Sequence, residues 1–251
     1  MRFDRTTENG LHVVRYGEPD APPPVVVVHG GLDRASSFGR VARQLTDLPV
    51  VLYDRRGYGR SIDAGVAPIE EHVEDLLGVI GSEPAVVFGH SVGGVIAVLA
   101  SLRRPEVVHS LLVYEPPLPW LHWWPRRSGP PVDVDPADEA ERFMRQMVGD
   151  RIWERLPART RAERRAEGPA LLADLASVHG GGARFEPASV QVPTLVAAGS
   201  ETSWWHARAA AELAAAVPGA ELAVLGGADH GAHLSQPAAV AALVRRARDL
   251  P

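Results

Sequence analysis

The sequence predicts an α/β fold: an eight-stranded, mostly parallel sheet with an N-terminal antiparallel hairpin, helices on both faces, and a helical cap inserted after the sixth strand. Three observations carry this. Continuous apolar runs such as Val25–Val28 suit strands buried on both faces, which requires a parallel sheet covered by helices. Helical patterns fall between these runs. One long stretch, Leu118 to about Pro187, contains no strand pattern. The chain has 251 residues, 45% of them hydrophobic and 23% charged, enough for a sizeable core without a staple.

The elements follow in order. Met1–Thr7 and Leu11–Tyr16 flank Glu-Asn-Gly, a hairpin signal. The further strands are Val25–Val28, Val50–Tyr53, Ala85–Phe88, Leu111–Tyr114, Thr194–Ala197 and Glu221–Leu225. Helices are expected over Ser37–Leu45, Ile69–Ile80, Val92–Leu102, His206–Ala216 and Ala238–Arg248. The core is thus expected over 1–117 and 188–251, with the cap over 118–187. That span is too long for a bare loop in a compact domain. It opens on Trp120, Trp123 and Trp124, runs through a Pro/Gly/Asp-rich stretch, and then predicts helices over Ala137–Met147 and Asp150–Leu175. Its eight arginines between Arg142 and Arg165 are interleaved with glutamate and aspartate, which predicts a self-paired, solvated face.

Composition excludes several chemistries. The absence of Cys removes disulfides, thiolate nucleophiles, zinc–cysteine sites and iron–sulfur clusters. All 26 basic residues are Arg, so Schiff-base catalysis, pyridoxal-phosphate attachment and Walker-type phosphate loops lack their lysine. A net charge of −5 gives no electrostatic case for nucleic acid or an anionic membrane. The N-terminal residues lack a signal-peptide apolar region, so a cytoplasmic location is expected. No cofactor and no metal are expected, and the chain is expected to be a monomer or homodimer acting on a small molecule.

Gly89-His90-Ser91-Val92-Gly93 fits Gly-x-Ser-x-Gly, a sharp strand-to-helix turn that projects a serine hydroxyl above a sheet edge. The residues two before and two after must be small so that strand and helix pack closely. The pattern alone is weak, but here it follows Ala85–Phe88 and opens an Ala/Val/Leu helix, which is the required setting. With His29-Gly30-Gly31, Asp54-Arg55-Arg56-Gly57-Tyr58-Gly59-Arg60-Ser61 and Gly227-Ala228-Asp229-His230, the chain resembles the α/β-hydrolase family over nearly its whole length.

A serine hydroxyl needs a neutral imidazole as base. His230 lies just past a late strand; the resemblance makes it the base and puts His233 in support. His29 and His90 are expected to organise hydrogen bonds. His12, His72, His109, His122, His179 and His206 are expected to be ordinary surface or core residues. Oxyanion donors are expected from the backbone of Val92, at a helix start, and Gly31, with Leu32 as the alternative. The acid departs from the family pattern: after Gly199, Thr202 stands where most members carry Asp. Glu115 and Glu201 are the candidates. Glu115 is favoured because part of the family carries its acid after the sixth strand. Leu32, His90, Leu118, Trp120 and Trp124 are expected to line the substrate pocket, with Trp204 and Trp205 as possible additions to its wall.

The resulting expectation is a cofactor-independent serine hydrolase. Its substrate would be an ester, thioester or lactone with an apolar acyl or aromatic group, cleaved through an acyl-enzyme by Ser91, His230 and Glu115. The same machinery leaves open carbon–carbon bond hydrolysis, a non-hydrolytic lyase or cyclase, and a ligand receptor.

Overall fold

The structure is a computed structural model that describes residues 3–17, 23–125 and 133–251. Met1, Arg2 and most of the Pro/Gly/Asp-rich stretch lie outside the described residues. Eight strands form one sheet: β1 (Phe3–Glu8), β2 (Leu11–Tyr16), β3 (Val25–Val28), β4 (Val50–Tyr53), β5 (Ala85–His90), β6 (Val108–Tyr114), β7 (Thr194–Gly199) and β8 (Glu221–Leu225). Their spatial order is β1-β2-β4-β3-β5-β6-β7-β8. β2 runs antiparallel to β1 and β4, and every other neighbouring pair is parallel. At the β1–β2 turn Glu8 pairs with Leu11, while Asn9 (φ 50°) and Gly10 (φ 81°) adopt the left-handed conformation of a two-residue hairpin.

The valine run of β3 serves both faces, as its composition requires. Val26 and Val28 enter one core layer, beside α2 (Ile69–Ile80) and α3 (Val92–Arg103). Val25 and Val27 enter the other, beside α1 (Gly39–Gln44) and the C-terminal helix Pro237–Arg248. Because the chain leaves β3 first for β4 and later reaches β5 on the opposite side, the sheet has a switch point at β3. A crevice opens there at the carboxyl ends of the strands.

The β6–β7 insertion is helical: α4 (Pro136–Val148), α5 (Asp150–Arg155), α6 (Ala158–Ala166) and α7 (Gly168–His179). The single helix expected over Asp150–Leu175 is three. Pro157 and Pro169, each without an N–H, begin new helices instead of continuing old ones. Gly168 allows α7 to meet the start of α4, since a Cβ there would lie 1.9 Å from the Pro136 carbonyl oxygen. The expected charge pairing is present: Arg145 reaches Glu141, Asp150 and Glu154, and Arg165 reaches Glu141 and Asp138.

A deeper set of charges ties this insertion to the sheet. Arg55, fully buried after β4, donates through Nη1 (3.0 Å) and Nη2 (2.7 Å) to the two carboxylate oxygens of Asp174 on α7. Tyr58 adds an O–H bond of 2.6 Å to Asp174, and Arg55 also donates to the carbonyls of His29 and Gly30. Burial, the largest influence, would push the Asp174 carboxyl up, but the charge and hydrogen bonds of Arg55, with His72 and the Tyr58 hydroxyl, together outweigh it and hold the group below its usual range. Asp174→Ala strands a buried guanidinium, so it should destabilise the fold by about 3–5 kcal/mol in urea unfolding. A loss under about 1 kcal/mol would show that the pair is dispensable. A depressed carboxyl stabilises fully above its unfolded pKa, about 3.9, and progressively less as pH falls through the folded value. The variant should therefore lose part of the wild type's steep decline in stability below about pH 4.

Candidate active site

Ser91 sits between β5 and α3 with φ 55° and ψ −128°, a conformation that non-glycine residues rarely hold without surrounding constraint. Its neighbours explain how it is held. The Ser91 N–H donates to the Tyr114 carbonyl at 2.9 Å. A Cβ at Gly89 would lie 2.4 Å from the Gly93 carbonyl oxygen, and one at Gly93 would lie 2.2 Å from that of Val28. A Cβ at Gly30 would come within 2.9 Å of the Ser91 Cβ. Strand, helix and the post-β3 loop therefore converge on Ser91 because glycine occupies these positions. Gly31 borders the same space, and Val92 supplies an N–H in the first turn of α3, where helices have no internal acceptor. Leu32 also has a positive φ (50°) and packs beneath Ala170 and Leu171 of α7.

Glu115 follows β6 with φ 48° and a fully buried side chain. Its Oε1 accepts the Gly199 N–H at 2.8 Å, and its Oε2 accepts the Thr202 hydroxyl at 2.8 Å. The same Oε2 lies 2.6 Å from His230 Nδ1. Burial opposes ionisation, yet the bonds and charge from His230, together with Gly199 and Thr202, hold the carboxyl below its ordinary value. Thr202, where an acid would be expected, is instead a donor to the acid. Glu201 is exposed and makes no contact with His230; its N–H bonds the Ala228 carbonyl, and its carboxylate reaches Ser200 at 3.4 Å. The geometry thus brings Glu115, not Glu201, to the imidazole.

Several imidazoles surround His230. His90, behind Ser91, lies 2.8 Å through Nε2 from the His230 carbonyl oxygen, which it serves as donor. His29 takes the Arg55 N–H on Nε2 at 2.9 Å and lies 2.7 Å through Nδ1 from the Gly30 carbonyl. His233 is buried against Phe38, ring on ring at 4.4 Å, and faces Asp33. His206, expected to be an ordinary residue, stacks on His230 with centroids 4.5 Å apart and planes 12° apart. Burial, followed by the charge of His230, depresses the His206 pKa well below the usual value, so a neutral ring covers His230. The sequence gives little sign of this, because His206 lies only in the first turn of α8 (Trp204–Ala216), three residues beyond Ser203, which contacts its Nδ1 at 3.0 Å.

A cavity of about 590 Å³ opens above Ser91 and His230. Leu32 and His90 border it, and Trp205 forms part of its wall. Its apolar side comes from Phe143, Met144, Met147, Val148 and Ile152 of the insertion. Leu118, Trp120 and Trp124 are not among the residues that line it. Leu118 and Trp124 are buried in the α2–α3 core layer, and Trp120 packs edge-on against Phe185. Trp124 meets His206 edge to face, at 5.7 Å between rings. Trp204 is largely exposed and meets Trp123. The tryptophan cluster reads in sequence as a pocket wall because aromatic residues suit both uses; packing against α8 takes them instead.

Comparison with known proteins agrees with this architecture. The chain is 36% identical over 109 residues to Lipase LipV of Mycobacterium tuberculosis (strain ATCC 25618 / H37Rv), covering 42% of this chain and 41% of that protein. It is 32% identical over 166 residues to the uncharacterized hydrolase YraK of Bacillus subtilis (strain 168), covering 63% and 58% respectively. The matched region therefore spans about half the length of these curated relatives. The crystal structure of an alpha/beta hydrolase from Sphaerobacter thermophilus DSM 20745 superposes with a TM-score of 0.71 at 28% identity, covering 96% of this chain and 99% of that one. Among the described residues, no helix is long and apolar enough to cross a membrane. The sequence profile of the Alpha/beta hydrolase family matches residues 25–243, and the chain belongs to that family.

Proposed function

We propose that the chain is a cofactor-independent serine hydrolase that cleaves a carboxylic ester, thioester or lactone with an apolar acyl group. The observation that carries this reading is the 2.6 Å contact between His230 Nδ1 and the buried Glu115 carboxylate, beside a serine on a strained strand-to-helix turn. Glu115 fixes the tautomer that leaves Nε2 of His230 free to accept a proton. Ser91 Oγ attacks the acyl carbon as that proton passes to His230, and Glu115 stabilises the imidazolium. The N–H groups of Gly31 and Val92 receive the charge on the carbonyl oxygen. The imidazolium then protonates the leaving alkoxide or thiolate. Water, deprotonated by the same imidazole, releases the acid and restores Ser91. The apolar side chains of α4 and α5 suit an acyl chain or ring, and the resemblance to a lipase supports an ester substrate.

A fluorophosphonate probe should attach covalently to Ser91, as mapped by peptide mass spectrometry, and labelling should disappear in Ser91→Ala. Short- to medium-chain p-nitrophenyl esters, thioesters and lactones then rank the substrate class. A wild-type chain that takes no label and turns over none of them would overturn the proposal.

A further inference from the structure

Beside His230, with the His90 ring 4.7 Å from its own, lies a second cluster that the hydrolytic reading leaves unused. Asp33 follows the post-β3 loop, His90 precedes Ser91, and His233 lies on α9 (Ala232–Ser235). One ligand-capable atom from each lies within 4.8 Å of the others. Both imidazoles are only 4% exposed. His90 Nδ1 and His233 Nδ1 are buried without a hydrogen-bond partner, although native structures rarely leave such groups unsatisfied. His233 Nε2 faces Asp33 Oδ2 at 3.1 Å. Asp33 Oδ1 takes the Arg34 N–H, so Oδ2 is turned toward the imidazoles.

The orientation of His90 is informative. Its Nε2–H is committed to the His230 carbonyl, which places a lone pair on Nδ1. A histidine that donates one ring N–H to a backbone carbonyl and leaves the other nitrogen bare has the arrangement of a metal ligand. Burial, followed by the charges of His233 and His230, keeps this ring neutral. The other histidine–carboxylate group, Glu115, His206 and His230, differs: His230 Nδ1 is already engaged with Glu115 and His206 Nδ1 with Ser203.

We infer that Asp33, His90 and His233 form a binding site for a divalent transition ion of the zinc class, and that its occupancy inhibits the enzyme. Two imidazoles and one carboxylate are a donor set that zinc takes, with the remaining position open. A tetrahedral ion with ligands at about 2.0–2.1 Å sets them roughly 3.3 Å apart, close to the Asp33–His233 separation. The His90 donor atom lies within 4.8 Å of the other two and closes the set by moving inward. Asp33 and His233 both border the cavity, so an ion can reach them from solvent. The inhibitory part rests on the proposed hydrolase mechanism. The His90 and His230 rings are 4.7 Å apart, and a dication on His90 opposes the positive charge that His230 must acquire during acyl transfer.

The test uses the full chain stripped of metal with a chelator. Zn²⁺ titration by calorimetry should show one ion bound, and Co²⁺ should give the intense visible bands of a tetrahedral site. Asp33→Asn and His233→Phe (the latter keeps the ring stacked on Phe38) should each weaken binding on the order of 100-fold. His206→Ala should leave binding unchanged. Circular dichroism confirms that each variant folds, and zinc should raise the wild-type Tm but not that of Asp33→Asn. Ester turnover should fall at least about tenfold at saturating Zn²⁺, with the calorimetric midpoint. No binding, or binding lost in His206→Ala but retained in Asp33→Asn, overturns the site. Binding without loss of turnover overturns the inhibition. Calorimetry and Co²⁺ spectra are read without substrate, so a failure of the hydrolase reading shows separately, as absent fluorophosphonate labelling.

Discussion

Ser91→Ala should lower ester turnover on the order of 10⁴-fold or more while leaving the urea midpoint close to that of the wild type. The size follows from cooperation: without the hydroxyl there is no acyl-enzyme, and His230 and Glu115 have no proton transfer to assist. Residual hydrolysis would come from the N–H groups of Gly31 and Val92 and from substrate positioning. The fold should persist because Ser91 is held by its backbone, through the Tyr114 carbonyl and the glycines at 30, 89 and 93. A variant that keeps more than about a tenth of wild-type kcat/KM would remove Ser91 from the chemistry.

Glu115→Gln should cost around 10³–10⁴-fold in kcat, by the precedent of neutralising the acid in serine proteases, whereas Glu201→Gln should change it by no more than about threefold. The reason is tautomeric. Gly199 donates to Oε1 while Thr202 and His230 share Oε2, so a glutamine that keeps its oxygen toward the Gly199 N–H turns its NH₂ toward His230 and toward the Thr202 hydroxyl, which must rotate to accept. Nδ1 must then accept, and the proton moves to the nitrogen that has to take one from Ser91. Single-turnover kinetics separate this from lost binding, because KM should move far less than kcat. Equal losses in the two variants, or a larger loss in Glu201→Gln, would return the acid to the loop after β7.

The parts of this protein that sequence exposes are those where local pattern and tertiary role coincide. Val25–Val28 and Val50–Tyr53 read directly because a valine-rich apolar run bounded by turns has few other fates. The turn at Ser91 reads because its glycines answer a steric demand within five residues. Glu115 reads only as one of two carboxylates, since its meeting with His230 crosses 115 positions. His206 and Asp174 are not singled out at all. Asp174 does leave a trace: Leu171-Leu172-Ala173-Asp174-Leu175 puts an acid among apolar neighbours in a helix, and a buried carboxylate requires a cation elsewhere. Nothing local says that the cation is Arg55. The tryptophans mislead for the opposite reason, being equally suited to a pocket wall and a packed core.

The Arg55–Asp174 pair bears on how this chain could be rebuilt. Exchanging the segment between β6 and β7 for one from another protein is an attractive route to new selectivity, because that segment furnishes much of the cavity wall. Here the exchange cannot be made at the two junctions alone. Arg55 faces α7 from the far side of the molecule's own sequence and also grips the carbonyls of His29 and Gly30, next to the N–H of Gly31. A graft that brings no carboxylate to the Asp174 position leaves that guanidinium without its counter-ion and loosens the loop that would cradle the developing oxyanion. Grafts should therefore carry an acid at that position or be paired with an apolar replacement of Arg55, which makes position 55 part of the module although it lies 119 residues upstream of its partner.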